Sequence, residues 1–561
     1  MLIVGVSDLE RNPAVALFNG QDPGPLAAIE EEKLDRSRSD GPVPRLALDY
    51  CLKHIGARPQ DISAIAVAGR PKRAWFREEK LRFDLLASGV AGRRSAWSGG
   101  RIARRLGRQQ LLRRIVGRNV PFVTFEHHLC HAASAFYASP FDRALVLTLD
   151  GAGDMWSGLI AVGEGDDLRP IKSLPFPNSL GWLYAQVTEM IGFHAGADED
   201  KTQWLSSRGN PDYVEVFQKL FNTDSDGLPV FDRRYLAREA AESWRLSRDV
   251  SAHLPPPRPL DGAGRAATIA CSVQSFLEDT VVDLAERYRK ATDTRYLCLA
   301  GGVFMNVLLV RALERRAGFD RVFVQPASDN PGTAMGAGFL APKRLGGKVQ
   351  RASLSHLHLG PGFDPQEIKS VLDNCKLIYR YFESENELLE TTASLLAKNK
   401  IVAWYQGRTE FGQRALGNRT IVASPFSPFV KENLNQYIKH RQEFHPFVLS
   451  VPSEDAAEYF DCSDNCRFAA SVGELKPGIS ALQGFTFGSG QVRLHLSDAS
   501  VNPRFGRLLR HFGRSAPAPI LVNTSFNLFG EPLVCDPRAA VRSFYCSGID
   551  ALVIGDFLVS K

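Results

Sequence analysis

At 561 residues the chain exceeds what one hydrophobic core accommodates, so two or three domains are expected. Its 44% apolar and 23% charged residues are those of an ordinary globular protein, and nine cysteines at irregular spacings argue against a disulfide framework. The longest apolar run, around 297–310, is broken by Gly301, Gly302 and Asn306, and Asp8 and Glu10 interrupt the N-terminus too early for a signal peptide, so a cytoplasmic location without a membrane span is expected.

From the N-terminus, β-branched and aliphatic runs at 2–6, 14–18 and 65–68 read as strands, with a helix at 44–54 between them. The net charge of +6 conceals an asymmetry that begins here. Residues 70–118 hold 15 Lys/Arg against three Asp/Glu, a local +12, and the remainder sums to −6. Within this stretch Ile102, Leu106, Leu112 and Ile115 form an approximate helical stripe ringed by arginine. One reading is a docked helix with a basic solvent face. The other is a contact surface for an anionic partner such as nucleic acid, a membrane head group or a charged substrate.

A strand at 122–125 precedes EHHLCHAASAFY, whose alanines suggest a helix over 128–137. His127 and His131 lie four apart and His128 and His131 three apart, so either pair could share a helix face and chelate a divalent metal. The strand at 144–149 runs into Asp150-Gly151-Ala152-Gly153, where a strand-end aspartate can hold a metal while the backbone amides of Gly151 and Gly153 approach phosphates. After a strand at 159–162 and a helix at 269–291, LCLAGGVFMN sets Gly301, Gly302 and Asn306 behind a buried strand. A helix at 307–316 leads to PASDNPGTAMGAG, with Asp329 on a loop and Gly332, Gly336 and Gly338 permitting close backbone approach. The alternation of strands and helices predicts an α/β architecture. Glycines and prolines over 342–362 place a linker at 346–363, between domains of 1–345 and 364–561. No internal repeat is legible.

In the C-terminal third, WYQGRTEFGQRALGNR carries Arg408, Arg414 and Arg419, IKHRQEFHPF adds Lys439, Arg441 and His445, and GQVRLHL adds Arg493. Guanidinium groups among glycines and aromatics, without acidic partners in sequence, suit anionic substrates.

In this order the motifs EEEKLDRSR, HHLCHAASAFY, LTLDGAGD, DEDKTQWLSSRGNP, LCLAGGVFMN, SDNPGTAMGAG, VNTSFNLFGEP and GIDALVIGDFLVSK resemble the carbamoyltransferases that include nodulation protein U and the cephem and aminoglycoside antibiotic enzymes. The resemblance covers nearly the whole chain. It implies an actin-like ATPase (ASKHA) N-terminal domain and a YrdC-like α/β C-terminal domain. It further implies an ATP-dependent O-carbamoyltransferase that converts carbamoyl phosphate to carbamoyl adenylate and carbamoylates a hydroxyl of a small-molecule natural product or glycan. On that resemblance His127, His131, Asp150 and Asp329 would bind an iron-type divalent metal, with magnesium accompanying ATP, and Gly301, Gly302 and Asn306 would lie against the nucleotide. Arg414, Lys439 and Arg493 would act on phosphate, with Asn523 and Ser525 lining that site and Arg408, Arg419, Arg441 and His445 around it. His131 would serve transfer, and a homodimer is the assembly to test.

The chain departs from the family pattern at three places. Arg11-Asn12 stands where a His-Asp pair is common, His445 replaces the basic residue before Pro-Phe, and Phe529 stands where Arg or Lys is common in the NTSFN…GEP motif. These changes favour, as an alternative, an acyltransferase on the same scaffold with another donor. A tRNA-modifying or nucleic-acid-binding protein ranks last, because no base-reading module accompanies the basic stretch.

Overall fold

The computed structural model describes residues 1–9, 11–20, 22–37, 43–87, 99–117, 119–238, 244–247, 250 and 262–561. The chain divides into two compact units. The first gathers Met1–Pro25, Asp40–Arg45 and Gly56–Ser353, and the second gathers Leu26–Ser39, Leu46–Ile55 and Leu354–Lys561.

In the first unit, β1 (Leu2–Val6) pairs antiparallel with β2 (Ala14–Asn19) and parallel with β3 (Ala64–Ala68), which pairs parallel with β4 (Phe122–Phe125). The same pattern recurs downstream. Strand β5 (Arg143–Gly153) pairs antiparallel with β6 (Trp156–Glu164) and parallel with β8 (Tyr296–Ala300), β8 pairs parallel with β9 (Arg321–Val324), and β7 (Asp167–Pro175) extends the sheet beyond β6. This duplicated arrangement is the actin-like ATPase fold. The repeat is one of topology, which is why residue-by-residue comparison of the two halves does not disclose it.

Between the sheets run α3 (His127–Phe136) and α6 (Gly332–Arg344), preceded in the chain by α1 (Pro71–Ala87) and α2 (Gly99–Val116) and interleaved with α4 (Gly262–Thr292) and α5 (Val307–Arg316). Small residues let α6 pack closely on β1 and α3, and residues 332–341 are all buried. Helix α6 continues through Pro342 to Arg344, past the expected start of the irregular segment. The basic stretch 70–118 contributes α1 and α2, while its residues 88–98 and 118, like Arg38 of EEEKLDRSR, lie outside the described residues.

The second unit is built on one ten-stranded sheet. In chain order its strands are β10 (Tyr379–Tyr381), β11 (Val402–Tyr405), β12 (Arg419–Ala423), β13 (Val448–Pro452), β14 (Phe460–Asp461), β15 (Val472–Leu475), β16 (Gln491–Ser497), β17 (Leu521–Ser525), β18 (Ala551–Ile554) and β19 (Phe557–Ser560). Their spatial order is β10-β19-β18-β11-β12-β17-β13-β16-β15-β14. Alternation along β11 sends Val402 and Trp404 to a core with Leu388, Leu508 and Phe512, and Ala403 and Tyr405 to one with Ile421, Leu449 and Val522. Both faces of the central strands are therefore buried. At the sheet centre Val448 pairs with Arg493 on one side and Asn523 on the other. Among the described residues no helix is long and apolar enough to cross a membrane.

Candidate metal centre and anion-binding site

Helix α3 carries its histidines into the interior of the first unit, where His127, His128 and His131 are all buried. One turn of helix separates His127 from His131, and their Nε2 atoms meet at 3.0 Å. Strand β5 brings Asp150 to the same point, its Oδ2 lying 3.4 Å from His127 Nε2 and 3.3 Å from His131 Nε2. His128 points elsewhere, its ring nitrogens 3.0 Å from Thr148 Oγ1 and 3.0 Å from the Trp156 carbonyl. The two helix-face pairings open to sequence reasoning are thus resolved in favour of His127 and His131.

Asp8 supplies the outer support. It lies just beyond β1, as Asp150 lies toward the end of β5, and its Oδ2 is 3.1 Å from His127 Nδ1. Nδ1–H donates to Asp8 and so turns Nε2 toward Asp150 and His131, where a bound cation would replace the Nε2 proton, the arrangement that orients metal-ligating imidazoles. Burial opposes protonation of His127, but Asp150 and Asp8 outweigh it and hold its pKa up at about 10. Burial and the charges of His127 and His131 push His128 down to about 3, and burial lowers His131. Burial also opposes ionisation of Asp150, yet its hydrogen bonds to His127 and His131 hold it well below the usual carboxylate range. Burial and the Asp150 charge push Asp329 up.

The His127, His131 and Asp150 donor atoms lie within 4.8 Å of one another. Two imidazole nitrogens and a carboxylate oxygen converging this closely, with a carboxylate fixing one tautomer, fit a divalent cation. Asp329 borders the trio. A Cβ built on Gly302 would lie 3.1 Å from Asp150 Oδ1 and 3.3 Å from Asp329 Oδ1, so the two carboxylates flank one small space. Gly153 serves the centre in a related way, since a Cβ there would fall 2.1 Å from His127 Cδ2. Gly151 follows Asp150 within β5 and donates its amide to Asp150 Oδ1 at 2.7 Å, and Gly301 comes directly after β8. Asn306 caps α5 through the Leu309 amide and exchanges hydrogen bonds with the Gln274 amide, so its side chain braces the helix.

In the second unit, Arg493 lies beside Val448, whose partner on its other side is Asn523, and Asn523 reaches the residue next to Arg414. Burial and the Arg493 charge push the Arg414 pKa down to about 9. The two like charges repel, and an anion bound beside both would relieve the repulsion. Lys439 Nζ donates to Ser525 Oγ at 3.2 Å, to the Ser525 carbonyl at 2.9 Å and to Asn527 Oδ1 at 2.6 Å, tying it to the NTSFN loop. Asn523 donates to Ser450 Oγ and to the Ala415 carbonyl next to Arg414, and accepts from Thr420 Oγ1. Arg441 bonds Asn435 Oδ1 and lies over the Phe447 ring, and His445 is buried.

Arg408 and Arg419 spend their donors differently. Arg408 bonds the carbonyls of Gly360, Leu359 and Leu26, and Arg419, fully buried over the Tyr405 ring, bonds those of Gln406, Gly407 and Pro361. Both guanidinium groups hold the 406–419 loop. Glu410 holds it too, one oxygen accepting from the Leu416, Asn418 and Arg419 amides. The EEEKLDR segment completes the brace: buried Lys33 pairs with Glu30 at 2.9 Å and donates to the Glu410 and Gly412 carbonyls, and Glu30 accepts from the Gly412 amide. Arg36 extends it to Glu531 and the Leu533 carbonyl in the GEP loop. Asp8, Glu410 and the pair Glu30–Lys33 escaped sequence reasoning. Asp8 had a signal in the parallel between VGVSD and VLTLD, while the Glu410 carboxylate bonds backbone amides of its own loop and the Glu30–Lys33 pair acts on a loop far away in the chain.

Phe529 is 64% exposed, and the Arg11 guanidinium reaches Gly196, whose added Cβ would stand 3.0 Å from its Nη1.

Comparison with known proteins assigns the sequence to a family. The chain is 32% identical to nodulation protein NolNO of Sinorhizobium fredii over 98% of its length and 78% of that protein's, and 29% identical to nodulation protein U of Bradyrhizobium diazoefficiens over 98% and 97%. Among solved structures, full-length HypF in its phosphate- and nucleotide-bound form is similar at 15% identity and a TM-score of 0.31, covering 62% of this chain and 47% of that one. Component A of the (R)-2-hydroxyglutaryl-CoA dehydratase of Acidaminococcus fermentans is similar at 13% identity and a TM-score of 0.34, over 60% and 96%. The family model for the carbamoyltransferase N-terminus matches residues 2–339, that for the carbamoyltransferase C-terminus matches residues 393–561, and the chain belongs to the carbamoyltransferase family.

Proposed function

We propose that this carbamoyltransferase takes its carbamoyl group from carbamoyl phosphate, activates it as carbamoyl adenylate in a YrdC-like second unit, and transfers it in the first unit to a hydroxyl of a small natural product or glycan. The observation that carries this reading is the convergence around Asn523 of Arg493 on the strand next but one, the Ala415 carbonyl next to Arg414, and the Lys439–Ser525 contact on the same strand as Asn523. That arrangement suits a ligand with several anionic oxygens. The donor phosphate and the phosphates of ATP both qualify.

Carbamate, formed when water attacks carbamoyl phosphate, breaks its phosphoanhydride bond and releases inorganic phosphate, is a poor acyl donor. Attack of its oxygen on the α-phosphorus of ATP releases pyrophosphate and leaves a mixed anhydride whose leaving group is AMP. Arg414 and Arg493 would bind and orient the anionic oxygens on which charge accumulates in that step. Lys439, held by Ser525 and Asn527, would place a further cation on the phosphates.

In the first unit His127, His131 and Asp150 would hold an iron-type divalent metal, with Asp329 at its border. When bound, such an ion supplies a Lewis acid for the carbamoyl carbonyl or for phosphate oxygen. Asp8 fixes the His127 ring so that Nε2 faces the site. Phe529, exposed and standing where the family commonly has Arg or Lys, favours the second reading of a changed acyl donor on the same scaffold.

The experiment is incubation with ATP, carbamoyl phosphate and a panel of hydroxyl-bearing metabolites and glycans. One acceptor gains the mass of a single carbamoyl group, and only when both ATP and carbamoyl phosphate are present. Transfer that proceeds without ATP, or from another acyl phosphate in preference, would overturn the reading.

A further inference from the structure

We propose that the outward face of α1 docks the protein on an anionic lipid bilayer. Among the described residues, Phe76 and Phe83 are the most exposed aromatic residues of the first unit, at 65% and 71%. They sit two turns apart on α1, and the exposed Lys72, Arg73 and Lys80 accompany them. At one residue per 100°, these five side chains fall within a sector of about 100°. Ala74, Glu78 and Leu81, on the opposite side, are buried in the unit. Helix α1 therefore presents to solvent a face of two phenylalanines set among Lys72, Lys80 and Arg73, the last ion-paired with Glu126 at 3.1 Å, with Glu79 and Asp84 only at its margins. In the neighbouring α2, Leu111 is 47% exposed and is followed by exposed Arg113 and Arg114.

A solvated charged face explains lysines and arginines but not two phenylalanines held in water. An interfacial helix explains both, because the rings enter the acyl boundary while the cations meet acidic head groups. The charge of the surrounding chain is complementary to such a surface, at +12 over residues 70–118 and −6 elsewhere. A second copy pairing through the same face would bring cation against cation. Single-stranded nucleic acid is held by stacking in grooves, whereas these rings stand on a convex helix. With no helix among the described residues able to cross a bilayer, the contact is peripheral and reversible.

The test is flotation of the full-length protein with vesicles of phosphatidylcholine alone or with about 30% phosphatidylserine, at about 0.1 M and 0.5 M salt. Expected is binding to the anionic vesicles that weakens at the higher salt. F76S/F83S and K72E/K80E should each lower it at least tenfold, with melting temperature and carbamoyl transfer unchanged. Failure to float, equal binding to neutral vesicles, or wild-type binding by both variants would overturn the proposal. It would equally be overturned if the wild type bound single-stranded RNA, or self-associated through Phe76 and Phe83, while ignoring vesicles.

Discussion

Replacing Lys33 with methionine keeps the volume of the side chain and removes its charge at a point where little else can compensate. The Lys33 and Glu30 side chains are 2% and 0% exposed, and Nζ is shared among Glu30, the Glu410 carbonyl and the Gly412 carbonyl. Lys33→Met leaves the Glu30 carboxylate buried, with the Gly412 amide as its remaining hydrogen-bond donor, and strips a donor from two carbonyls. Breaking a buried ion pair from one side costs about 3–5 kcal/mol. For a unit of this size, with about 2–4 °C per kcal/mol, the melting transition of the second unit should fall by about 6–20 °C. Glu30→Gln in the same chain removes the stranded charge, so the double variant should recover part of the loss. Scanning calorimetry with a fluorescence probe in the second unit reads the shift. Because the pair grips the loop that carries Arg414, apparent affinity for carbamoyl phosphate should also weaken in the folded single variant. A shift under about 3 °C, or a double variant whose loss equals the sum of the singles, would refute the clamp.

Gly153→Ala places a methyl 2.1 Å from the His127 ring, so the folded variant should lose its divalent metal in elemental analysis, as should His127→Ala and Asp150→Ala. Asp329→Ala, removing a carboxylate at the border of the trio, should weaken metal retention less than either. Arg414 must be cationic to bind an anion, and its pKa of about 9 means that phosphate affinity, measured by calorimetry, should hold below that value and decline as pH rises through it. Arg493→Gln removes the repelling charge and should move that decline to higher pH.

Much of the first unit was legible because its strands are short, strongly apolar runs bounded by turn residues. The strand at 2–6 and the helix at 307–316 fall where periodicity places them. The EHHLCHAASAFY helix was legible from its alanines, but whether His127 or His128 joins His131 was not. That choice depends on Thr148 and Trp156, which lie on other strands. In the second unit the density of arginine suggested an anion site without ranking its members. Arg408 and Arg419 look the same in sequence as Arg414, yet their donors go to backbone carbonyls contributed by residues 26, 359–361 and 406–407. The role of EEEKLDR was hidden for the same reason, since its buried pair acts on residues more than 370 positions away.

The most direct test of the account is carbamoyl-phosphate-dependent exchange of labelled pyrophosphate into ATP. The account predicts exchange by the wild-type protein in the absence of any acceptor, its loss in Arg414→Ala and Arg493→Ala, and its persistence in His131→Ala, which should fail only in transfer. No exchange by folded, metal-loaded protein, or equal loss of exchange in His131→Ala and Arg414→Ala, would contradict activation in the second unit and transfer in the first.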